Sequence, residues 1–152
     1  IICYLLDLPN DEQILNLIDR FNNFNKKVFF IGNALRKYCD CFNFDYEFIS
    51  VSVFDFPRIF FESDLVVTDS FHGVCFSIIG KKNTMIVNRN YSSGFNQNER
   101  ITSLLSSIGF DTNNLSDINL INFSKENCYK MESYIDRSKK FLLNSLENIE
   151  NE

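Results

Sequence analysis

Six consecutive residues, Thr68-Asp69-Ser70-Phe71-His72-Gly73, gather two hydroxyls, a carboxylate, an aromatic ring, the only imidazole of the chain and a glycine. An imidazole can take and return a proton near neutrality, which suits general acid–base work. If a helix starts here, the N–H groups of Phe71, His72 and Gly73 face outward. Together with the helix dipole they make a place for an anion. Gly73 has no Cβ and lets a ligand come close to the backbone. The same residues also support a plainer reading. Asp69 or Ser70 can cap a helix, His72 can pack against a neighbour, and a capping acid works against a second negative charge nearby. On residue types alone both readings stand.

Position is what favours the chemical one. Leu65 to Thr68 is a short β-branched apolar run, expected as a fourth strand, and Val74 to Ile79 is expected as a buried helix. Around them the chain alternates in the same way. Ile1 to Leu6 is all apolar, as in a strand covered on both faces. Pro9-Asn10 opens a helix with Gln13 as reciprocal cap and Ile14, Leu17, Ile18 and Phe21 on one face. Lys27 to Ile31 is a second strand closed by Gly32-Asn33, and Tyr46 to Val53 a third, nearer an edge. Asp55 to Ser63 reads as a short helix with Pro57 in its first turn. Thr84 to Val87 is a fifth strand, and Asn98 to Ile108 a helix stopped by Gly109. Asp111 to Asn122 reads as a loose connection. A closing helix runs from about Ser124 to Ile149, capped by Ser124 or Asn127, with Cys128, Met131, Ile135, Leu142, Leu146 and Ile149 as its stripe. This order predicts one α/β domain over residues 1–152, an open parallel sheet with helices on both faces. Ligands of such sheets bind beyond the carboxyl ends of the strands, where the 68–73 segment falls.

Composition sets the outer limits. At 152 residues, 45% hydrophobic and 23% charged, the chain is a packed domain and not a disordered one. Its net charge of −5 and the lack of a dense Lys/Arg cluster argue against nucleic acid as a partner. Apolar runs such as Val28 to Ile31 are strand-length and too short to span a membrane. Five cysteines, an odd number without a C-x-x-C pair, fit a reducing, cytoplasmic setting, at most peripheral to the inner face of the membrane. One histidine and a lone Cys39-x-Cys41 do not make a zinc site, so no metal is expected. The start Ile1-Ile2-Cys3, with no initiator Met and no signal-peptide pattern, reads as a point inside a longer polypeptide.

The stretch Ser63-Asp64-Leu65-Val66-Val67-Thr68-Asp69-Ser70-Phe71-His72-Gly73-Val74-Cys75-Phe76-Ser77-Ile78-Ile79 resembles the core signature of the polysaccharide pyruvyl transferase family. Gly80-Lys81-Lys82 before Met85-Ile86-Val87 is similar to the family's next turn and strand. Asn98-Glu99-Arg100-Ile101-Thr102-Ser103-Leu104-Leu105 with Gly109 resembles its following helix. Tyr4-Leu5-Leu6 resembles the first strand of the family's C-terminal half. The resemblance implies a Rossmann-like sheet serving as the C-terminal lobe of a two-lobed, GT-B-like fold, with the N-terminal lobe lying before Ile1.

The activity it implies is transfer of the pyruvyl group of phosphoenolpyruvate to a sugar of a cell-surface or capsular polysaccharide. The product is a pyruvate ketal and phosphate is released, with no separate cofactor. The acceptor would be a glycan or a lipid-linked sugar. His72 is expected to move a proton and Asp69 to orient it or to cap the helix. Ser70, Phe71 and Gly73 are expected at the donor, with Arg100 and Arg89 as the cations for its phosphate and carboxylate. Some family members carry Arg-x-His where this chain has Ser70-x-His72, so either another arginine grips the donor or the donor differs. Two other functions remain. One is the donor lobe of a nucleotide-sugar glycosyltransferase, which should show a Gly-rich turn and an acid for the ribose. The other is a non-catalytic sugar-binding module. The isolated chain is expected to be inactive, since the acceptor would sit between two lobes.

Overall fold

A computed structural model describes residues 1–89, 98–113 and 115–150, with side chains as far as 145. Six strands form one sheet in the order β3-β2-β1-β4-β5-β6: β1 (Ile2–Tyr4), β2 (Val28–Ile31), β3 (Tyr46–Ile49), β4 (Leu65–Thr68), β5 (Asn83–Val87) and β6 (Ile118–Ile121). The first five pair in parallel, so the architecture is a Rossmann-like α/β sheet. Chain order reverses direction between β1 and β4, which makes their carboxyl ends the crevice where such sheets take ligands.

One expectation fails at the edge. The 111–122 stretch contains β6, which pairs antiparallel with β5 through Thr84–Ile121 and Val87–Ile118. Its four residues sit among Asn, Asp and Ser, so the local signal is that of a turn. The partner strand supplies the hydrogen bonds that make it a strand.

The helices are α1 (Asp11–Phe24), α2 (Phe56–Glu62), α3 (Phe71–Ile79), α4 (Asn98–Ser107) and α5 (Lys125–Glu150), with a 3₁₀ turn at Arg36–Cys41. Asn10 and Gln13 close the reciprocal cap of α1: Gln13 N donates to Asn10 Oδ1 at 2.8 Å and Asn10 N to Gln13 Oε1 at 3.1 Å. Gln13 is itself buried, and its Nε2 donates to Asn88 O at 2.7 Å, which fastens the start of α1 to the end of β5. Ile14, Leu17, Ile18 and Phe21 cover one face of the sheet together with Cys3, Leu5, Val28, Phe30, Val67, Met85 and Val87. Val74 and Ile78 of α3, Ile101 and Leu105 of α4, and Met131 of α5 cover the other face over Ile86 and Ile121. Met85 and Val87 thus face α1 while Ile86 faces α3, the two-residue alternation of a strand buried on both sides.

The start of α5 is capped jointly. Asn127 N donates to Ser124 Oγ at 3.2 Å, and Ser124 N donates to Asn127 Oδ1 at 3.1 Å. Its expected stripe is covered only in part: Met131 is buried, whereas Leu142 is 60% exposed. Leu146 and Ile149 lie outside the described side chains.

Candidate active site

The turn from β4 into α3 is built around Thr68. Its Oγ1 donates to Tyr4 O on the neighbouring β1 at 2.7 Å and accepts from Ser70 N at 3.1 Å. Ser70 is the N-cap of α3, with its Oγ accepting from Gly73 N at 3.4 Å. The helix therefore begins at Phe71, three residues before the apolar run at Val74 that marked it in the sequence.

Gly73 has a packing reason beside the one expected of it. A Cβ there would sit 2.5 Å from Thr68 Oγ1 and 3.1 Å from both Thr68 Cβ and Cγ2. The glycine lets the first turn of α3 rest on the strand, and its N–H donates to Ser70 Oγ. The amides left in the first turn are those of Phe71 and His72, which have no acceptor within the helix.

Asp69 also turns away from its expected partner. Its carboxylate is buried, with 3% of the side chain exposed. Oδ1 accepts from Leu6 N at 2.8 Å, and Oδ2 accepts from Asp7 N at 3.0 Å and Arg89 Nε at 2.9 Å. Three strand ends, those of β1, β4 and β5, meet on this one group. Among the described residues it makes no hydrogen bond to His72, and the cap of α3 is Ser70. The buried pair with Arg89, whose side chain is 9% exposed, is satisfied by two backbone donors as well as by the ion.

His72 occupies the second position of α3. Its imidazole is exposed and stands edge-on to the Phe71 ring, with centroids 5.9 Å apart. Arg100 also lies over that ring, its guanidinium carbon 4.2 Å from the Phe71 centroid. Phe71, Glu99, Arg100, Ser103, Leu104, Ser107 and Tyr134 line a cleft of about 420 Å³ beside it. The two arginines thus play different parts: Arg89 is anchored in the crevice by Asp69, and Arg100 lies over Phe71. Asn98, the first residue of the helix that carries Arg100, holds the Arg89 backbone: its Oδ1 accepts from Arg89 N at 3.2 Å and its Nδ2 donates to Arg89 O at 3.0 Å. A larger cavity, about 600 Å³, is lined by Ile1, Ile2, Lys26, Phe29, Ser63 and Asp64 among others. It lies toward the amino ends of the strands, away from His72.

Tyr4 also stands at the carboxyl end of the sheet, although its residue type gave no sign of it. It ends β1 directly beside Thr68 in register, with its ring edge-on to Phe56 at 5.0 Å. Burial, and then the Asp69 charge, push its phenol above the ordinary range, while a hydrogen bond with Ser70 and the Arg89 charge pull the other way. The phenol therefore holds its proton more tightly than a free tyrosine does. Its position at the end of the first strand was the available signal, but the pairing of β1 with β4 had to be known to use it.

A family model for polysaccharide pyruvyl transferase matches residues 2–91. The chain belongs to the polysaccharide pyruvyl transferase family. The match runs from β1 through Arg89, and so takes in Tyr4, Asp69, Ser70, Phe71, His72 and Gly73 but stops short of Arg100. No curated protein and no solved structure matches the chain. Among the described residues, no group of three His, Cys, Asp or Glu could hold a metal ion, and no helix is long and apolar enough to cross a membrane.

Proposed function

We propose that this chain binds phosphoenolpyruvate at the β1/β4 crevice and that its pyruvyl group passes to a sugar of a surface or capsular glycan, or of a lipid-linked precursor. One sugar hydroxyl adds to the enol carbon while a proton is delivered to the methylene carbon, which becomes a methyl group. A second hydroxyl then displaces phosphate from the same carbon, and its proton leaves with the phosphate or a base. Two C–O bonds to the sugar form and the bond from carbon to the phosphate oxygen breaks.

In this reading His72 moves a proton, as an exposed imidazole at the crevice can. Arg89 and the amides of Phe71 and His72 hold the phosphate or carboxylate, with Arg100 as a second cation next to Phe71. Asp69 acts on Arg89 and not on His72. The acceptor enters against a second lobe, so residues 1–152 alone bind donor without turnover. We place the reaction in the cytoplasm, in keeping with five unpaired cysteines.

The observation that supports this reading is that the family match takes in the segments after β4 and β5 at the carboxyl end of the sheet, which carry His72, the first-turn amides of α3 and Arg89. Titration calorimetry with phosphoenolpyruvate tests it. Saturable binding by the wild-type chain that is lost or weakened at least about tenfold in His72→Ala supports it. Binding of a UDP-sugar with no response to phosphoenolpyruvate would sink it in favour of a glycosyltransferase lobe, and binding of neither would favour a sugar-binding module.

A further inference from the structure

Among the described residues two carboxylates share Arg89, and they are held very differently. Asp69 is 3% exposed, lies 2.9 Å from Nε and is fixed by two backbone amides. Asp7 reaches the same Nε at 3.4 Å with a side chain that is 58% exposed. An Nε carries one hydrogen, and the shorter contact to Asp69 takes it. The Asp7 carboxylate therefore stays near Nε by charge more than by a directed bond, and exposed pairs of that kind are weak. Its backbone is nevertheless locked in place, because Asp7 N donates to Asp69. The result is a loose negative group on a fixed stem, on the solvent side of an arginine that is nine-tenths covered.

We infer that Asp7 is an exchangeable counter-ion, occupying the place at Arg89 into which an anionic ligand comes, whereas Asp69 is the permanent one that orients the guanidinium. Arg89 is then neutralised in the resting chain and is never left as a bare buried cation. An incoming phosphate or carboxylate displaces the Asp7 side chain into water and takes over its charge contact. Asp7 lowers affinity for the anion by competing with it, and Asp69 raises affinity by aiming the group that binds it. That the natural anion is phosphoenolpyruvate rests on the function proposed above; the exchange itself does not.

The two roles predict opposite signs for two substitutions of the same chemistry. With inorganic phosphate and phosphoenolpyruvate as probes, Asp7→Asn should tighten binding about fivefold to tenfold at low ionic strength, the size expected from removing one nearby like charge. That gain should shrink as salt is raised to about 0.5 M, because Asp7 is exposed. Asp69→Asn should weaken both ligands about tenfold or more, and the loss should persist in salt. Asp7→Asn changes only an exposed side chain, so it decides the matter even if Asp69→Asn does not fold. Binding by Asp7→Asn that equals or falls below wild type would overturn the inference. If all variants bind phosphoenolpyruvate equally, the inference fails while the proposed function stands. If phosphate follows the predicted signs and phosphoenolpyruvate binds none of them, the exchange stands and the pyruvyl donor does not.

Discussion

Replacing Gly73 by alanine adds one methyl group to the tightest place in the site. The new carbon would lie 2.5 Å from Thr68 Oγ1 and 3.1 Å from two further Thr68 carbons. Thr68 is fully buried and its hydroxyl makes two hydrogen bonds, to Tyr4 O and from Ser70 N, so it cannot swing aside without breaking them. Overpacking of this kind costs about 1–3 kcal/mol. Losing or stretching the two bonds adds up to about 1 kcal/mol each. The better helix propensity of alanine returns about 0.5–1 kcal/mol. The net expectation is a loss of about 2–3 kcal/mol, or roughly 5–10 °C in Tm for a chain of this size. Urea denaturation followed by circular dichroism measures it. Thr68→Ala removes the closest atom, so the double mutant should be less damaged than the sum of the singles by about 1–2 kcal/mol. A Gly73→Ala protein as stable as wild type, or strictly additive losses, would refute the reasoning that Gly73 is there to seat α3 on β4.

Two further outcomes follow from buried groups. Asp69→Ala should cost about 3–5 kcal/mol in the same assay, because it strands Arg89 and two backbone donors at the strand ends. Asp69→Asn should lose less, since an amide oxygen still accepts from Leu6 or Asp7. At alkaline pH, burial and then the Asp69 charge push the Cys3 thiol and Tyr4 phenol up from ordinary values of 9.0 and 10.0. A raised pKa means the native state holds the proton more tightly than the unfolded chain. The associated stability is complete below pH 9 and is lost as pH rises past 9 and then 10. Urea midpoints measured from pH 7 to 10.5 should fall across that window, and Cys3→Ala should flatten the first part of the fall. An unchanged slope in Cys3→Ala would show that the thiol contributes nothing to it.

Local signals were enough for much of this molecule and failed where a contact joined distant parts of the chain. The Asn10–Gln13 cap, the α1 stripe and β4 are written in neighbouring residues, and each appeared within a residue or two of its expected limits. β6 was hidden because four residues among Asn and Asp become a strand only by pairing with β5. The candidate site divides in the same way. Its location at the end of β4 follows from strand–helix alternation, and the family resemblance rests on that contiguous segment. The partners of Asp69 are Leu6 and Asp7, more than sixty residues away, and Arg89, twenty away, so no spacing rule could assign them. Gly73 was legible as important, but its packing reason was not, since only the packed strand shows that Thr68 fills the place of the missing side chain. Phe71 was chosen for its amide, while the structure adds a ring that lies against both His72 and Arg100.

The most direct measurement is a crystal of the chain soaked in phosphoenolpyruvate. The account predicts density for the donor at the carboxyl ends of β1 and β4, an anionic group within hydrogen-bond reach of the Phe71 and His72 amides and in charge contact with Arg89, and the Asp7 side chain turned into solvent. Donor bound at another place, or an occupied crevice in which neither those amides nor Arg89 touches the ligand, would contradict it.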